Sequence, residues 1–354
     1  MAGPDEATKE AQLMRAAGDP IGGPDLRGRV ALVTGASGGL GLVTARRLAG
    51  FGARTLLGCR DPGRAERARE QILDRHPKAS VELVRLDLAS LDTIADAARE
   101  IADRAGRLDL LVNNAGIMAP TRAEAQLPTQ DGFERQLAVN HLGHFALTGQ
   151  LLPLLLASGE ARVVTVSSVA HYAATGAGLA DPADFKTLPH GSTWLGYARS
   201  KLANLLFALE LERRAVASHA ALRPSSTSPH GAGMAESPRS LISVAAHPGF
   251  AGTDLVANAG IGRRRFIGAA AQFGTNLAAQ SAEAGALPTL YAATSSSVVG
   301  GEFYGPRLIA RGAPARNIPS RPARDRKLAA QLWAASVEAT GVGYEELPSP
   351  RAPH

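Results

Sequence analysis

The stretch "RVALVTGASGGLGLVTARRLAGFG", residues 29–52, decides the fold. "RVALVTG" is a short apolar run ending in glycine, and "LVTARRLAGFG" repeats its apolar residues at helical spacing. Between them lies "TGASGGLG", Thr34 to Gly41, with glycines at 35, 39 and 41 and with Ser37 and Leu40 in the same loop. Strand, glycine-rich loop and helix in that order make a cradle for a pyrophosphate. The glycines allow a tight turn, backbone N–H groups approach the anion, and the helix N-terminus adds partial positive charge. A glycine run alone would be weak; its ordered context makes it specific.

Working outward, the same alternation continues. "ARTLLGC" reads as a strand, "PGRAERAREQILDRHP" as a helix, "SVELVRLDL" as a strand and "LDTIADAAREIADRAG" as a helix. The strand "LDLLVNNAG" follows, then one long helix "GFERQLAVNHLGHFALTGQLLPLLL", the strand "ARVVTVSS", a helix around Tyr197 and the strand "LISVAAHPG". Strands alternating with helices imply βαβ units, right-handed crossovers and a single-domain, doubly wound parallel sheet of six or seven strands with helices on both faces. The expected domain spans residues 28–342, between a mobile extension at 1–27 and a tail at 343–354. Residues 217–238, rich in Ser, Pro and Gly, read as a disordered insertion at the N-terminal edge of the sheet. Residues 253–284 follow a strand's C-terminal end, where ligands gather, and are the candidate substrate lid.

Bulk composition narrows the function. Of 354 residues, 45% are hydrophobic and 20% charged, as in ordinary globular proteins. The single cysteine, Cys59, excludes a disulfide framework and a cysteine-rich metal site, which fits a reducing, cytoplasmic setting. No run reaches the roughly 18 apolar residues of a membrane span, and the N-terminus lacks the apolar segment of a signal peptide. The net charge is +6, but its arginines are scattered and no basic stripe is interleaved with aromatics. We therefore expect neither a nucleic-acid nor a membrane partner; an anionic cofactor accounts for part of the positive balance.

"YARSK", Tyr197 to Lys201, places a phenol and an ammonium on one helix face. A tyrosine of ordinary pKa about 10 exchanges protons poorly near neutrality, and a close cation lowers that pKa. The pair therefore reads as an acid/base and its tuner. Ser168 ends an apolar strand at the ligand edge of the sheet, where its hydroxyl can donate to an oxygen gaining charge. Asn140 is an amide inside an apolar helix; a buried amide needs partners, and a water linking it to Lys201 would complete a proton path. His141, His144, His171 and His247 show no metal-site signature and read as core or supporting residues. Trp194 and Phe250 are candidates to flank a substrate, although aromatics beside a helix start usually pack.

From Arg29 to about Val342 the chain resembles the short-chain dehydrogenase/reductase family, in its retinol dehydrogenase-like and WW-domain-oxidoreductase-like branch. The motifs are "TGASGGLG", "CRD", "LDL", "NNAG", "VNHLGHF", "VSSVAH", "YARSKLAN" and "AAHPG", in the family's order, and the GxxxGxG spacing is the family's own. The resemblance implies that Asp87 and Leu88 lie near an adenine, and that Asn114, Ala115 and Gly116 meet the ribose side. Pro248, Gly249 and Thr253 would then line the nicotinamide side. It also implies a catalytic set of Asn140, Ser168, Tyr197 and Lys201, with Lys201 on the nicotinamide ribose; the choice of Ser168 over Ser167 comes from the family alignment.

The strand after the first helix ends "LLGCRD", where an NAD-preferring site usually presents an acid about 20 residues beyond the loop. Cys59 takes that position and Arg60 follows, a guanidinium suited to a 2′-phosphate. Asp61 could swing to the ribose, but Pro62 marks Asp61 as the cap of the next helix. NADP(H) is thus expected over NAD(H), in an oxidoreductase interconverting an alcohol with an aldehyde or ketone. Two alternatives stay open: a silent cofactor-binding regulator or scaffold, and an enone (C=C) reductase. The lid's apolar residues, with Arg263, Arg264 and Arg265, point to a lipophilic substrate; a homo-oligomer is open.

Overall fold

A computed structural model describes residues 23–118, 121, 123–124, 127–222, 241–249, 281–347 and 349. Strand β1, Val30–Thr34, is buried along its whole length and is followed by α1, Gly39–Gly50. Next come β2 Arg54–Cys59, α2 Pro62–Arg75, β3 Val81–Arg85, α3 Leu91–Arg104 and β4 Leu110–Asn113. Asp61 caps α2 as anticipated, its carboxylate accepting from Arg64 N at 2.7 Å with Pro62 at the first helical position. Such a cap stabilises a helix by about 1 kcal/mol.

The expected helix over residues 132–156 is broken into pieces. A single turn, Arg135–Leu137, runs into the π-helical stretch Ala138–Leu142, then α4 Gly143–Gln150 and α5 Leu152–Ala157. Pro153, near the start of α5, cannot continue the preceding hydrogen-bond ladder. The first turn is held by Glu134, whose carboxylate accepts from Gln136 N and Leu137 N at 2.8 and 3.0 Å. Beyond it are β5 Ala161–Val166, the long α6 Thr193–Leu222, β6 Leu241–Ala246, α7 Ala282–Thr294, β7 Phe303–Pro306, β8 Pro314–Arg316 and α8 Arg326–Thr340.

The strands form one sheet in the order β3-β2-β1-β4-β5-β6-β7-β8. Seven strands are parallel, as expected; β8 adds an antiparallel edge that the sequence pattern did not reveal. Alternate residues of β1 feed opposite cores. Leu32 joins the core under α3, α4, α6 and α8, whereas Ala31 and Val33 join that under α1, α2 and α7. The strand order reverses between β1 and β4, so a crevice opens at their C-terminal ends.

Three expected boundaries shift. Leu26 N donates to Phe51 O at 2.9 Å, so the last residues of the N-terminal extension are anchored; residues 1–22 lie outside the described set. Helix α6 continues through Leu222, into the stretch expected to be an insertion; its remainder, residues 223–238, is not described. The packed domain also passes residue 342, because Tyr344 and Leu347 are buried and the Tyr344 hydroxyl donates to Phe145 O at 2.6 Å. Tyr344 packs in an aromatic cluster with Phe145, Phe207 and Trp333, which gathers residues far apart in sequence.

Candidate active site

A cleft of about 750 Å³ runs along the C-terminal edge of the sheet. The loop residues Gly35, Ser37, Gly39, Leu40 and Gly41 line it, with Arg60, Asp87, Leu88, Asn114, Ala115 and Gly116. Ser168, Tyr197, Lys201, Pro248 and Gly249 line it as well. The structure thus brings together nearly all the residues singled out in the sequence. Thr253 and Phe250 lie outside the described residues, as does the expected lid except for residues 281–284, which form the cap and first turn of α7.

The loop's shape depends on two glycines. Gly35 has φ +66, a left-handed conformation that side chains disfavour. A Cβ on Gly41 would stand 2.4 Å from Gly35 O and 2.5 Å from Asn114 Nδ2. Asn114 cannot retreat easily, since Nδ2 donates to Thr34 O at 2.8 Å.

One buried histidine joins this floor to the helical wall. Asn140 O can only accept, so His144 Nδ1, 3.0 Å away, carries the proton and Nε2 is bare. Thr34 Oγ1 donates to Nε2 at 2.8 Å and accepts from Asn114 N and Ala115 N, both at 2.9 Å. Burial, reinforced by the Lys201 cation, lowers the His144 pKa to about 4 despite the opposing Asn140 bond, and the ring stays neutral. Neither Thr34 nor His144 was singled out for the site; only their three-dimensional pairing reveals them.

The Asn140 amide acts as a brace. Oδ1 accepts from Ile117 N at 2.8 Å, while Nδ2 donates to Ile117 O and Ser200 Oγ, each at 2.9 Å. Its side chain thus finds the partners that a buried amide needs, and it holds the segment after β4. The two serines also divide. Ser167 Oγ donates to Lys201 O at 2.7 Å, whereas the Ser168 hydroxyl accepts from Ala170 N at 3.2 Å and lies close enough to Tyr197 to lower its pKa.

Tyr197 and Lys201 are both buried, with the ammonium 5.7 Å from the phenol ring centre. The expected fall in the Tyr197 pKa is not what the fold imposes. Burial pushes the phenol up to about 12, against a lowering bond from Ser168, and burial also pulls Lys201 down to about 8. Desolvation disfavours the charged form of each group. Lys201 Nζ has three protons, and among the described residues its hydrogen bond goes to Val166 O at 3.2 Å. A Cβ on Gly116 would stand 3.1 Å from that nitrogen, so a side chain there would press on the ammonium where it faces the cleft. A buried cation with donors to spare, beside a glycine cradle, fits a polyhydroxylated anionic cofactor.

Sequence reasoning also missed cleft-lining Ile117, Met118, Leu127, Arg135, Val139 and Val169. Arg135 and Val139 share a helical face by spacing; Ile117, Met118 and Leu127 lie in loops and Val169 opens a short 3₁₀ helix, none with a periodic signal. Trp194, a weak candidate beforehand, does line the cleft.

The family model for short chain dehydrogenase matches residues 29–179. The chain is 38% identical to polyprenol dehydrogenase of Mus musculus over 323 residues, covering 90% of this chain and 86% of that one. The chain belongs to the short-chain dehydrogenase/reductase family. Retinol dehydrogenase 13 of Homo sapiens is 34% identical, with 92% and 89% of the two chains covered, which places the protein in the retinol dehydrogenase-like branch. Among solved structures, a Mycobacterium Paratuberculosis protein superposes with TM-score 0.66 at 36% identity, covering 91% of this chain and 97% of its own. A Beutenbergia cavernae protein whose structure holds NADP at low occupancy gives TM-score 0.58 at 28% identity, over 79% and 96%. This short-chain dehydrogenase/reductase is accordingly an oxidoreductase of the kind that acts on CH–OH groups with a nicotinamide cofactor. Among the described residues no helix is long and apolar enough to cross a membrane.

Proposed function

We propose that the protein is an NADP(H)-dependent oxidoreductase that interconverts a lipophilic alcohol and its aldehyde or ketone. The observation that carries this reading is the convergence of Ser168, Tyr197 and Lys201 with the glycine cradle in one cleft. Gly35, Ser37, Gly39, Leu40 and Gly41 would hold the pyrophosphate, and Asp87, Leu88, Asn114, Ala115 and Gly116 the adenosine and ribose side. Pro248 and Gly249 would flank the nicotinamide, which when bound supplies or accepts the hydride.

Tyr197 is the acid/base. Its raised pKa keeps the phenol protonated near neutrality, ready to donate as a carbonyl oxygen gains charge. Ser168, beside Tyr197, orients the substrate oxygen, and Lys201 offers its remaining donors to ribose hydroxyls. In the reverse direction Lys201 stabilises the phenolate. Asn140 supports the set from behind through Ile117 and Ser200.

Arg60, Asp61 and Arg64 all line the cleft, and the Asp61 carboxylate is engaged as a helix cap, so the two guanidinium groups support a 2′-phosphate over a bare 2′-hydroxyl. The apolar lining of Ile117, Met118, Leu127, Val169 and Trp194 supports a lipophilic substrate, in keeping with the names of the polyprenol and retinol dehydrogenase relatives. The test is loss of reduced-nicotinamide absorbance with NADPH and with NADH against aldehydes, ketones and enones, with product identification. Alcohol products formed with NADPH support the reading. Saturated ketones from enones would move it to C=C reduction, and tight NADPH binding without turnover of any carbonyl would favour a regulator.

A further inference from the structure

Two buried histidines on the β5–β7 side of the cleft have both ring nitrogens engaged, and their partners run in series. His171 Nδ1 lies 2.7 Å from Ser168 O; a carbonyl accepts only, so Nδ1 holds the proton. Nε2 is then a bare acceptor and takes a bond from Ser320 N at 3.2 Å. In His247 the order is reversed. Nδ1 accepts from Gly249 N at 3.1 Å, so the proton is on Nε2, which donates to Asn317 Oδ1 at 3.0 Å. Asn317 Nδ2 points to Pro306 O and Ala315 O, each at 3.4 Å, which fixes the amide with its oxygen toward the imidazole.

The segment 317–320 that joins the two rings is itself pinned. Asn317 N donates to Phe303 O at 2.7 Å, and the Tyr172 hydroxyl donates to Ile318 O at 2.5 Å. Phe303 packs against both rings, with centroids 5.4 Å from His171 and 5.0 Å from His247. Room for His247 comes from a missing side chain, since a Cβ on Gly305 would stand 1.9 Å from its Nε2.

We propose that His171, His247 and Asn317 are positioning residues for the reaction proposed above. They form a hydrogen-bonded belt from Ser168, which meets the substrate oxygen, to the Pro248–Gly249 turn on the nicotinamide side. The belt passes through residues 303–320, which hold the last parallel strand, β7, and the antiparallel β8, and which lie outside the residues matched by the family model. It sets the spacing between the two reacting partners without touching either, and it rests on the roles assigned above to Ser168 and Gly249.

The test combines a readout that needs no substrate with one that does. Nitrogen NMR of histidine-labelled protein should show His171 as the Nδ1–H tautomer and His247 as the Nε2–H tautomer. Asn317→Leu should abolish the His247 signature and lower hydrogen-exchange protection of the Gly249 N–H. With whichever carbonyl the wild type reduces, Asn317→Leu should lower kcat about 10- to 100-fold while NADPH affinity stays within about threefold, as expected for misplacement. Asn317→Asp, which keeps an acceptor for His247, should recover much of the loss. Gly305→Ala, which displaces His247, should reproduce the Asn317→Leu phenotype. Wild-type kcat in folded Asn317→Leu would overturn the belt, as would opposite tautomers in the wild type. A wild type with the expected tautomers that reduces no carbonyl would sink the oxidoreductase reading instead.

Discussion

The two walls of the cleft are built by different means. The β1–β4 wall is made of backbone and small residues: Gly35, Gly41, Ala115 and Gly116, with Thr34 gathering the amides of Asn114 and Ala115. The β5–β7 wall presents reactive side chains, Ser168, Tyr197 and Lys201, and is braced by imidazoles. A wall that binds a pyrophosphate needs close backbone approach, so it excludes side chains. A wall that moves a proton needs fixed side chains, so it spends buried polar groups on holding them. Binding and chemistry are therefore separable by mutation.

The largest effect should come from the reactive wall. Ser168→Ala removes the proposed donor to the substrate oxygen and should lower kcat about 100-fold or more, with NADPH affinity nearly unchanged in a binding titration. Gly41→Ala strikes the other wall. Its Cβ meets Gly35 O, a backbone atom with nowhere to go, and overpacking of about 1–3 kcal/mol should weaken NADPH binding roughly 10- to 100-fold. Raising NADPH should then restore much of its turnover. Equal loss of binding and kcat in both variants would break the comparison. Arg60→Ala should be smaller and selective, weakening NADPH about tenfold while leaving NADH within about twofold; equal losses would contradict the 2′-phosphate role.

A separate effect is on stability, and it involves both walls. Burial holds His141 at about 3 and His144, His171 and His247 at about 4. In the unfolded chain each titrates near 6.5. Their stabilisation is complete above about pH 6.5 and is lost as pH falls toward 4, because only the unfolded chain takes up those protons in that window. Each ring contributes up to about 1.4 kcal/mol per pH unit there. Denaturant titrations at pH 7 and pH 5 should show a marked acid loss, and equal stability at the two pH values would mean the rings are not held neutral.

The two walls were also unequally legible in the sequence. The glycine loop, the Asp61 cap and the Tyr197–Lys201 spacing are local patterns, fixed within a few residues by turn and helix geometry. The π-helical turn at Ala138–Leu142 has no periodic signature, because one widened turn hardly disturbs apolar spacing. The histidine pairings join residues 70 to 149 positions apart, so the types were visible and the partners were not. The same holds for β8, a three-residue strand, and for Tyr344, whose partner Phe145 lies 199 positions away. The direction of the Tyr197 shift was missed for a related reason. The spacing reveals the neighbouring cation but not the depth of burial, which raises the phenol's pKa.

The most direct measurement is NADPH oxidation with a reducible carbonyl by wild type and Tyr197→Phe, beside an NADPH binding titration of both. The account predicts turnover by wild type, a loss of about 10²- to 10⁴-fold in Tyr197→Phe, and NADPH affinity that is nearly the same in the two. Tyr197→Phe turning over as fast as wild type would contradict it, because the proton would then come from another group.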